Sequence, residues 1–437
     1  MLTTMSKNTL VCALMHLLVD GLCACCLYMT VGLSDVSAFA GIFITYNVLA
    51  FLTQPLTGLV ADHAPKNVDI LVLAAVAALS MAVLVASISL LLPISRKLML
   101  FSVSILLGVG NSLFHVWGGK RVALLTHNDI RALGVFVSTG AMGLAIGMVY
   151  ASWILLYGLL VAVALSAVAA IRIRNMSANN SAEVDAANGN WWIWCAILLL
   201  MAFVCLRSFL GATLTVGVAK NANMILLIGF VAMLGKALGG WVAKGVGVWK
   251  TLVLALAGTF VFLWLRDSAG WFWLPGVLLI NCTMAVTLYL CNKVLPGKEG
   301  LAFGLLAASL MPGYLLAQLP DTSHLLLPLV LSLLLTVSIE VGVLWLMREK
   351  RTDVLWSAVV VNILTNLPLN LCLSYIHGGW TAIAIGEALV VLIEAVWYRF
   401  FTSSWKLGVI YSVLCNAVSF FCGLLLQWAI LFFQTRL

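Results

Sequence analysis

Runs of about twenty apolar residues, separated by short polar breaks, recur along the whole chain, and a run of that length crosses a bilayer as one helix. In lipid every backbone N–H and C=O must be bonded internally, which leaves only helices and closed barrels. The runs are continuously apolar rather than alternating, so they read as helices. Fifteen fit the chain, at roughly 9–30, 35–60, 68–92, 98–118, 132–150, 152–171, 191–212, 223–241, 251–266, 271–291, 300–318, 324–346, 354–376, 379–398 and 407–431. The expected fold class is an all-α polytopic membrane protein. With 9% charged residues in 437, little polar chain is left for a soluble catalytic domain. The formal charge of +8 is scattered between spans as topology signals, which argues against a nucleic-acid partner.

The breaks organise the chain into six spans, a polar linker at 172–190, six more spans and three last ones. The expected domains are a bundle at 1–171, the linker, a second bundle at 191–347 and a three-helix appendage at 348–437. Alternate breaks hold sixteen basic residues against five, with Arg207 and Lys236 left inside spans, so the positive-inside rule places the N-terminus in the cytoplasm of a cell-membrane protein. An odd span count then puts the C-terminus outside. Lys7 and the apolar run after it look superficially like a signal peptide, but His16 and Asp20 interrupt the run and no Ala-x-Ala follows, so this reads as a retained helix. Two similar halves predict an internal repeat. Gly58-Leu-Val-Ala61 after the second span and Gly240-Trp-Val-Ala243 after the eighth share an offset of 182 residues.

Several residues then resemble a known family. Gly58-x-x-Ala61-Asp62 with Lys66 resembles the loop between helices two and three of the major facilitator superfamily, whose Asp caps or pairs at the cytoplasmic gate. His16-x-x-x-Asp20, Phe114-His115, Phe136-x-x-x-Gly140-x-x-Gly143-x-x-x-Gly147 and Arg207-Ser208 look like the fosmidomycin-resistance branch, over roughly residues 9–347. The resemblance implies two pseudo-symmetric six-helix bundles around a midplane cavity, and efflux of a drug-like molecule. Met148 replaces the proline that often follows the last glycine of the series, Lys244 stands where an Asp is usual, and the last three spans are extra. Lys244 implies that only the first half keeps an acidic gate partner.

The residues themselves carry the chemistry. His16 and Asp20 stand one turn apart on one helical face, and an ionised Asp in mid-membrane costs about 2.5–3.5 kcal/mol on insertion scales, so it needs a cavity or a partner. The pair reads either as a proton-coupling or substrate-contacting site or as a structural hydrogen bond. Arg207 is the cation opposite, on the pseudo-equivalent span. It reads either as a contact for an anionic substrate or as a permanent lock on Asp20, and the two are expected to face one another across the cleft. Lys236, near a span end, reads as snorkelling to the interface. Asn111 with His115, Asn47 with Gln54 and Thr57, Asn281 with Thr283 and Thr287, and Tyr314 with Gln318 form polar stripes, bent at Pro55 and Pro312. Each stripe alone is ordinary interhelical bonding. The glycines of span five read as close packing.

Eleven cysteines include Cys12 and Cys23 on the face of His16 and Asp20, the ligand types of a soft divalent ion, but they read as small apolar packing groups. No metal and no cofactor is expected, and no phosphate-binding loop indicates ATP drive. In the appendage, Asn362, Asn366 and Asn370 share a face around Pro368, and Glu387 and Glu394 share another; they form either a private polar seam or a docking face toward the main bundle. Taken together, the reading is a secondary active transporter and not an enzyme: proton-coupled efflux of a small amphiphilic or anionic molecule by alternating access, with substrate, protons and membrane lipid as partners. The rivals are a lipid-modifying membrane enzyme and a non-transporting scaffold.

Overall fold

The computed structural model describes residues 7–31, 36–64, 68–91, 96–173, 191–218, 221–266, 268, 270–318, 323–375 and 379–434. Lys66 and nearly all of the linker lie outside the described residues. Those described form helices and no strand: α1 (Lys7–Val31), α2 (Val36–Asn47), a π turn (Val48–Leu52), α3 (Gln54–His63), α4 (Asp69–Leu91), α5 (Arg96–Leu125), α6 (Ile130–Val149), α7 (Trp153–Arg172), α8 (Trp191–Thr215), α9 (Ala222–Val246), α10 (Val248–Trp264), α11 (Trp273–Val294), α12 (Glu299–Ala308), α13 (Leu310–Gln318), α14 (Ser323–Leu346), α15 (Thr352–Tyr375), α16 (Gly379–Thr402) and α17 (Trp405–Gln434).

Among the described residues, fourteen helical stretches are long and apolar enough to cross a membrane. Two of them are broken helices, α2 with α3 and α12 with α13. The fifteenth run is α10, whose 17 residues span about 26 Å, short of the ~30 Å hydrocarbon core. Both breaks have a proline cause. Pro55 enters in the first turn of α3, and the chain ahead of it relaxes into the π turn at Val48–Leu52. Pro312 was expected to break its helix just before Tyr314. The break falls earlier, at Ser309, because the proline ring collides with the carbonyl four residues back, at Ala308. Polar caps start other helices: Asp129 accepts from Arg131 N, Ser152 from Leu155 N and Asn221 from Met224 N. Gly247, at φ +110°, makes the tight passage from α9 to α10 that a side chain would strain.

The helices gather into two compact units. The first holds α1–α7, α8 from Leu199 onward, and α9–α13. Within it α1 packs along α6 and α7, α4 along α5, and α11 along both α9 and α10. Two helix pairs join the first six spans to the next six most extensively: α6 with α9, and α3 with α12. In span order these are five with eight and two with eleven, and a shift of six converts one pair into the other. That exchange is what a pseudo-two-fold between two bundles requires. The loop-repeat glycines both sit on these seams. A methyl at Gly58 would collide with the Gly300 backbone, and one at Gly240 with the carbonyl of Ile130.

The second unit holds α14–α17 with residues 191–198 of α8. α14 meets α15, α15 meets α16, α16 meets α17 and α17 returns to α14, a closed ring of four helices. α14, the twelfth span in sequence, therefore has its main helix neighbours among the last three.

Candidate functional site

Helix α1 carries His16 and Asp20 one turn apart, and both are buried, at 5% and 6% exposure. They face α5, where Asn111 and His115 are likewise one turn apart. Asn111 Nδ2 donates to Asp20 Oδ1 at 3.0 Å. His16 Nε2 lies 3.2 Å from Asp20 Oδ2, His115 Nε2 lies 3.4 Å from Asp20 Oδ1, and the two Nε2 atoms are 2.8 Å apart. Helix α6 forms the third wall. A methyl at Gly140 would run into Asp20 Oδ2 and His16 Nε2, so this glycine makes room for the cluster, while Gly143 and Gly147 let the α1 backbone approach at Leu17 and Gly21. Phe136 and, from α12 of the second bundle, Phe303 close the aromatic shell, with ring centroids 4.9 Å from His16 and 6.4 Å from His115 respectively.

The hydrogen bonds dictate where protons sit. His16 Nδ1 is 2.7 Å from the carbonyl of Phe136, and His115 Nδ1 is 2.9 Å from the carbonyl of Asn111. A carbonyl only accepts, so both Nδ1 atoms carry hydrogen, and two neutral rings would present two bare Nε2 lone pairs to one another and to a carboxylate. At these distances that arrangement repels. One additional proton between the two Nε2 atoms converts it into an imidazolium shared by two rings beside Asp20, with no net charge. The same three groups present ligand atoms within 4.8 Å of one another, so a divalent cation would compete for the very lone pairs that hold the proton.

Arg207 does not join this cluster. Asp20 Oδ1 accepts from Asn111 of α5, Oδ2 lies against His16 Nε2 of α1, and no ion pair joins Asp20 to Arg207 among the described residues, so the expected Asp20–Arg207 lock is not formed in this conformation. Arg207 is buried, 6% exposed, and its Nε has no hydrogen-bond partner. Lys236, read from the sequence as snorkelling, instead interacts electrostatically with Arg207, Asp20 and His115. The reason is that α9 packs along α6, which turns the Lys236 face toward protein. The other polar stripes are mostly committed locally: Asn47 Nδ2 donates to Phe43 O, Asn281 Nδ2 to Val277 O and Gln54 Nε2 to Ala50 O. Gln54 Oε1 remains buried without a partner. Tyr314 is 40% exposed and Gln318 is exposed; neither is a hydrogen-bond partner of the cluster. Cys23-Ala24-Cys25-Cys26 does contain a Cys-x-x-Cys spacing, yet these cysteines are free and buried.

Contacts at the linker-side end hold the two bundles together. Asp62 Oδ1 accepts from Lys120 Nζ at 2.7 Å and from Gly300 N at 3.0 Å, and Oδ2 accepts from Leu301 N at 2.8 Å. A residue of the first bundle thus caps the N-terminus of α12 in the second, where a negative charge is favoured. Lys244, at the equivalent place in the repeat, has an acidic partner that the sequence reading lacked: its Nζ is 3.4 Å from Asp129 Oδ2, and Asp129 is the cap of α6. Arg131 chelates the same carboxylate and holds it below the usual range, at about 2. Asn292 Nδ2 adds a further cross-bundle bond, to Asn128 Oδ1 at 2.8 Å. At the opposite end, a cavity of about 330 Å³ lies at the α8–α9 and α10–α11 turns, lined by Asn221, Met224, Arg266 and Trp271 among others.

In the second unit the expected seam residues Asn362, Asn366 and Glu394 are brought together, while Glu387 makes no hydrogen bond among the described residues. The sequence reading missed Glu340 of α14 and Thr365, Asn416 and Ser419, which complete the network. Glu340 stands as a lone charge in an apolar run, the signal that would have found it.

No protein-family model and no curated protein sequence matches the chain. Among solved structures, a variant of the E. coli fucose:proton symporter FucP aligns over 83% of this chain and 98% of its own, with a TM-score of 0.51 and 12% identity. Two structures of the nucleoside transporter NupG align over 84% of this chain and 99% and 98% of their own, at 13% and 14% identity, with TM-scores of 0.41 and 0.38. The likeness to the symporter, together with the exchanged helix pairs, establishes that this chain has a major-facilitator-like fold.

Proposed function

We propose that the protein is a secondary active transporter, not an enzyme, that moves a small anionic or amphiphilic molecule out of the cell by alternating access, coupled to protons. The observation that carries this reading is the proton-holding cluster of His16, His115 and Asp20. It sits under Phe303, a residue of the opposite bundle, so movement between bundles alters its surroundings. Taking a proton away leaves lone pairs facing a carboxylate, which gives the two conformations different proton affinities; such a differential is what couples binding to conformational change.

The cluster is neutral when it holds its proton, whereas Arg207 and Lys236 add positive charge and neither forms a salt bridge among the described residues, which suits an anionic substrate. Efflux follows from the resemblance to the fosmidomycin-resistance branch, and with a cytoplasmic N-terminus the closed linker-side end faces the cytoplasm. The test is flux in proteoliposomes over a panel of small organic anions. A pH gradient is expected to drive uphill movement in the parent and not in Asp20→Asn. Transport that ignores the gradient, or survives unchanged in Asp20→Asn, rejects proton coupling.

A further inference from the structure

Glu340 and Glu394 are both fully buried in the four-helix unit, at 0% exposure, and neither has a cationic partner. Their oxygens are surrounded by neutral groups from α15 and α17. Asn362 Nδ2 donates to Glu340 Oε2 at 2.7 Å and Asn416 Nδ2 to Glu394 Oε2 at 2.5 Å. Each amide nitrogen is also 3.0 Å from a backbone carbonyl, Ala358 O or Ser412 O, which fixes it as the nitrogen. A metal ion seated between the acids would therefore meet amide N–H groups rather than amide oxygens.

The hydroxyls count the protons. Thr365 Oγ1 lies 2.8 Å from Val361 O and 3.0 Å from Glu394 Oε1, and it owns one hydrogen. Both contacts are hydrogen bonds only if Glu394 supplies the second hydrogen. Ser419 Oγ repeats the arrangement, 3.2 Å from Asn416 O and 3.2 Å from Glu340 Oε1. When a carboxyl loses its proton, the same hydroxyl turns its own hydrogen toward the carboxylate, so Thr365 and Ser419 accommodate either state without rearrangement of a helix.

A second, independent feature points to exchange rather than permanent neutrality. Tyr398, one turn beyond Glu394 on α16, is 0% exposed, and its hydroxyl has no hydrogen-bond partner. It interacts electrostatically with Glu394, Glu340 and Cys415. A buried donor held ready beside two acids has a use when one of them becomes a carboxylate. The titratable groups around the pair are Glu387 and Tyr398 from α16 and Cys415 from α17; α15 contributes only amides and hydroxyls, and no Lys or Arg of the described residues interacts with either acid.

We propose that Glu340 and Glu394 form a second proton-exchanging site, confined to the C-terminal four-helix unit, with Thr365 and Ser419 as the hydroxyls that follow the proton and Tyr398 as the reserve donor. The test is infrared difference spectroscopy of the full-length protein in lipid, scanned over pH. A protonated-carboxyl C=O band is expected near neutral pH, diminished in Glu340→Gln and in Glu394→Gln, and lost as pH rises. Tyr398→Phe, which removes only the reserve donor, is expected to move that loss to higher pH. Absence of the band in the parent, or a band untouched by both glutamine variants, overturns the proposal. So does removal of the band by sodium at constant pH, which would assign the site to a metal cation.

Discussion

Asp62→Asn isolates how much the linker-side closure depends on one carboxylate. Asp62 makes three bonds to donors, but they do not count alike. Lys120 belongs to the same bundle, so that ion pair is present whether the bundles are open or closed, and only the bonds from Gly300 N and Leu301 N distinguish the two states. A hydrogen bond to a charged group contributes about 1.5–3 kcal/mol, and a charge at a helix N-terminus about 0.3–1 kcal/mol. The asparagine keeps one neutral acceptor, so the net differential loss is about 2–4 kcal/mol, a shift of roughly 30- to 700-fold toward the open linker-side state. Spin labels at Thr126→Cys and Gly245→Cys, in a background without native cysteines, report the separation of the bundles at that end. The longer distance is expected to gain population in Asp62→Asn. Lys120→Met, which strands a carboxylate within one bundle, is expected to lower thermal stability with a smaller change in the distance distribution. An unchanged distance distribution in Asp62→Asn would refute the reasoning.

Three further outcomes follow from the geometry. Gly140→Ala places a methyl against His16 Nε2 and Asp20 Oδ2, so gradient-driven flux is expected to fall at least tenfold with a stability loss of about 1–3 kcal/mol, typical of overpacking; flux and melting temperature measured together check it. Asp129 is held down at about 2 by Arg131, below its unfolded value near 3.9; its stabilising contribution is therefore complete above about pH 4 and lost as pH falls through about 2, and the Lys244 link should persist at pH 5, as chemical cross-linking of those two side chains would report. Zinc is expected to inhibit flux less as pH falls between about 7 and 5, because protons and metal use the same imidazole lone pairs; a pH-independent inhibition constant would place the metal elsewhere.

Hydropathy was enough to locate nearly every helix, since a bilayer demands apolar runs of one length. The cost of intramembrane charge likewise marked His16, Asp20, Arg207 and Glu394. Sequence spacing also put His16 with Asp20 and Asn111 with His115, because one-turn neighbours share a face. It did not reveal that those two faces meet, nor that Asp129 answers Lys244 or Glu340 answers Asn362. Those partners come from other helices, and helix rotation about its own axis is set by tertiary packing. Arg207 shows the converse: a costly charge and a plausible partner predicted a pairing, but nearer polar groups on α1 and α5 already surround Asp20.

The proton shared by His16 and His115 is tested most directly by nitrogen-15 magnetic resonance of the six histidines, with His16→Gln and His115→Gln used to assign the signals. Both Nδ1 atoms are expected to carry hydrogen, with one further hydrogen shared between the two Nε2 atoms at neutral pH. Two neutral rings with bare Nε2 atoms, or an Nδ1 without hydrogen on either ring, would contradict it.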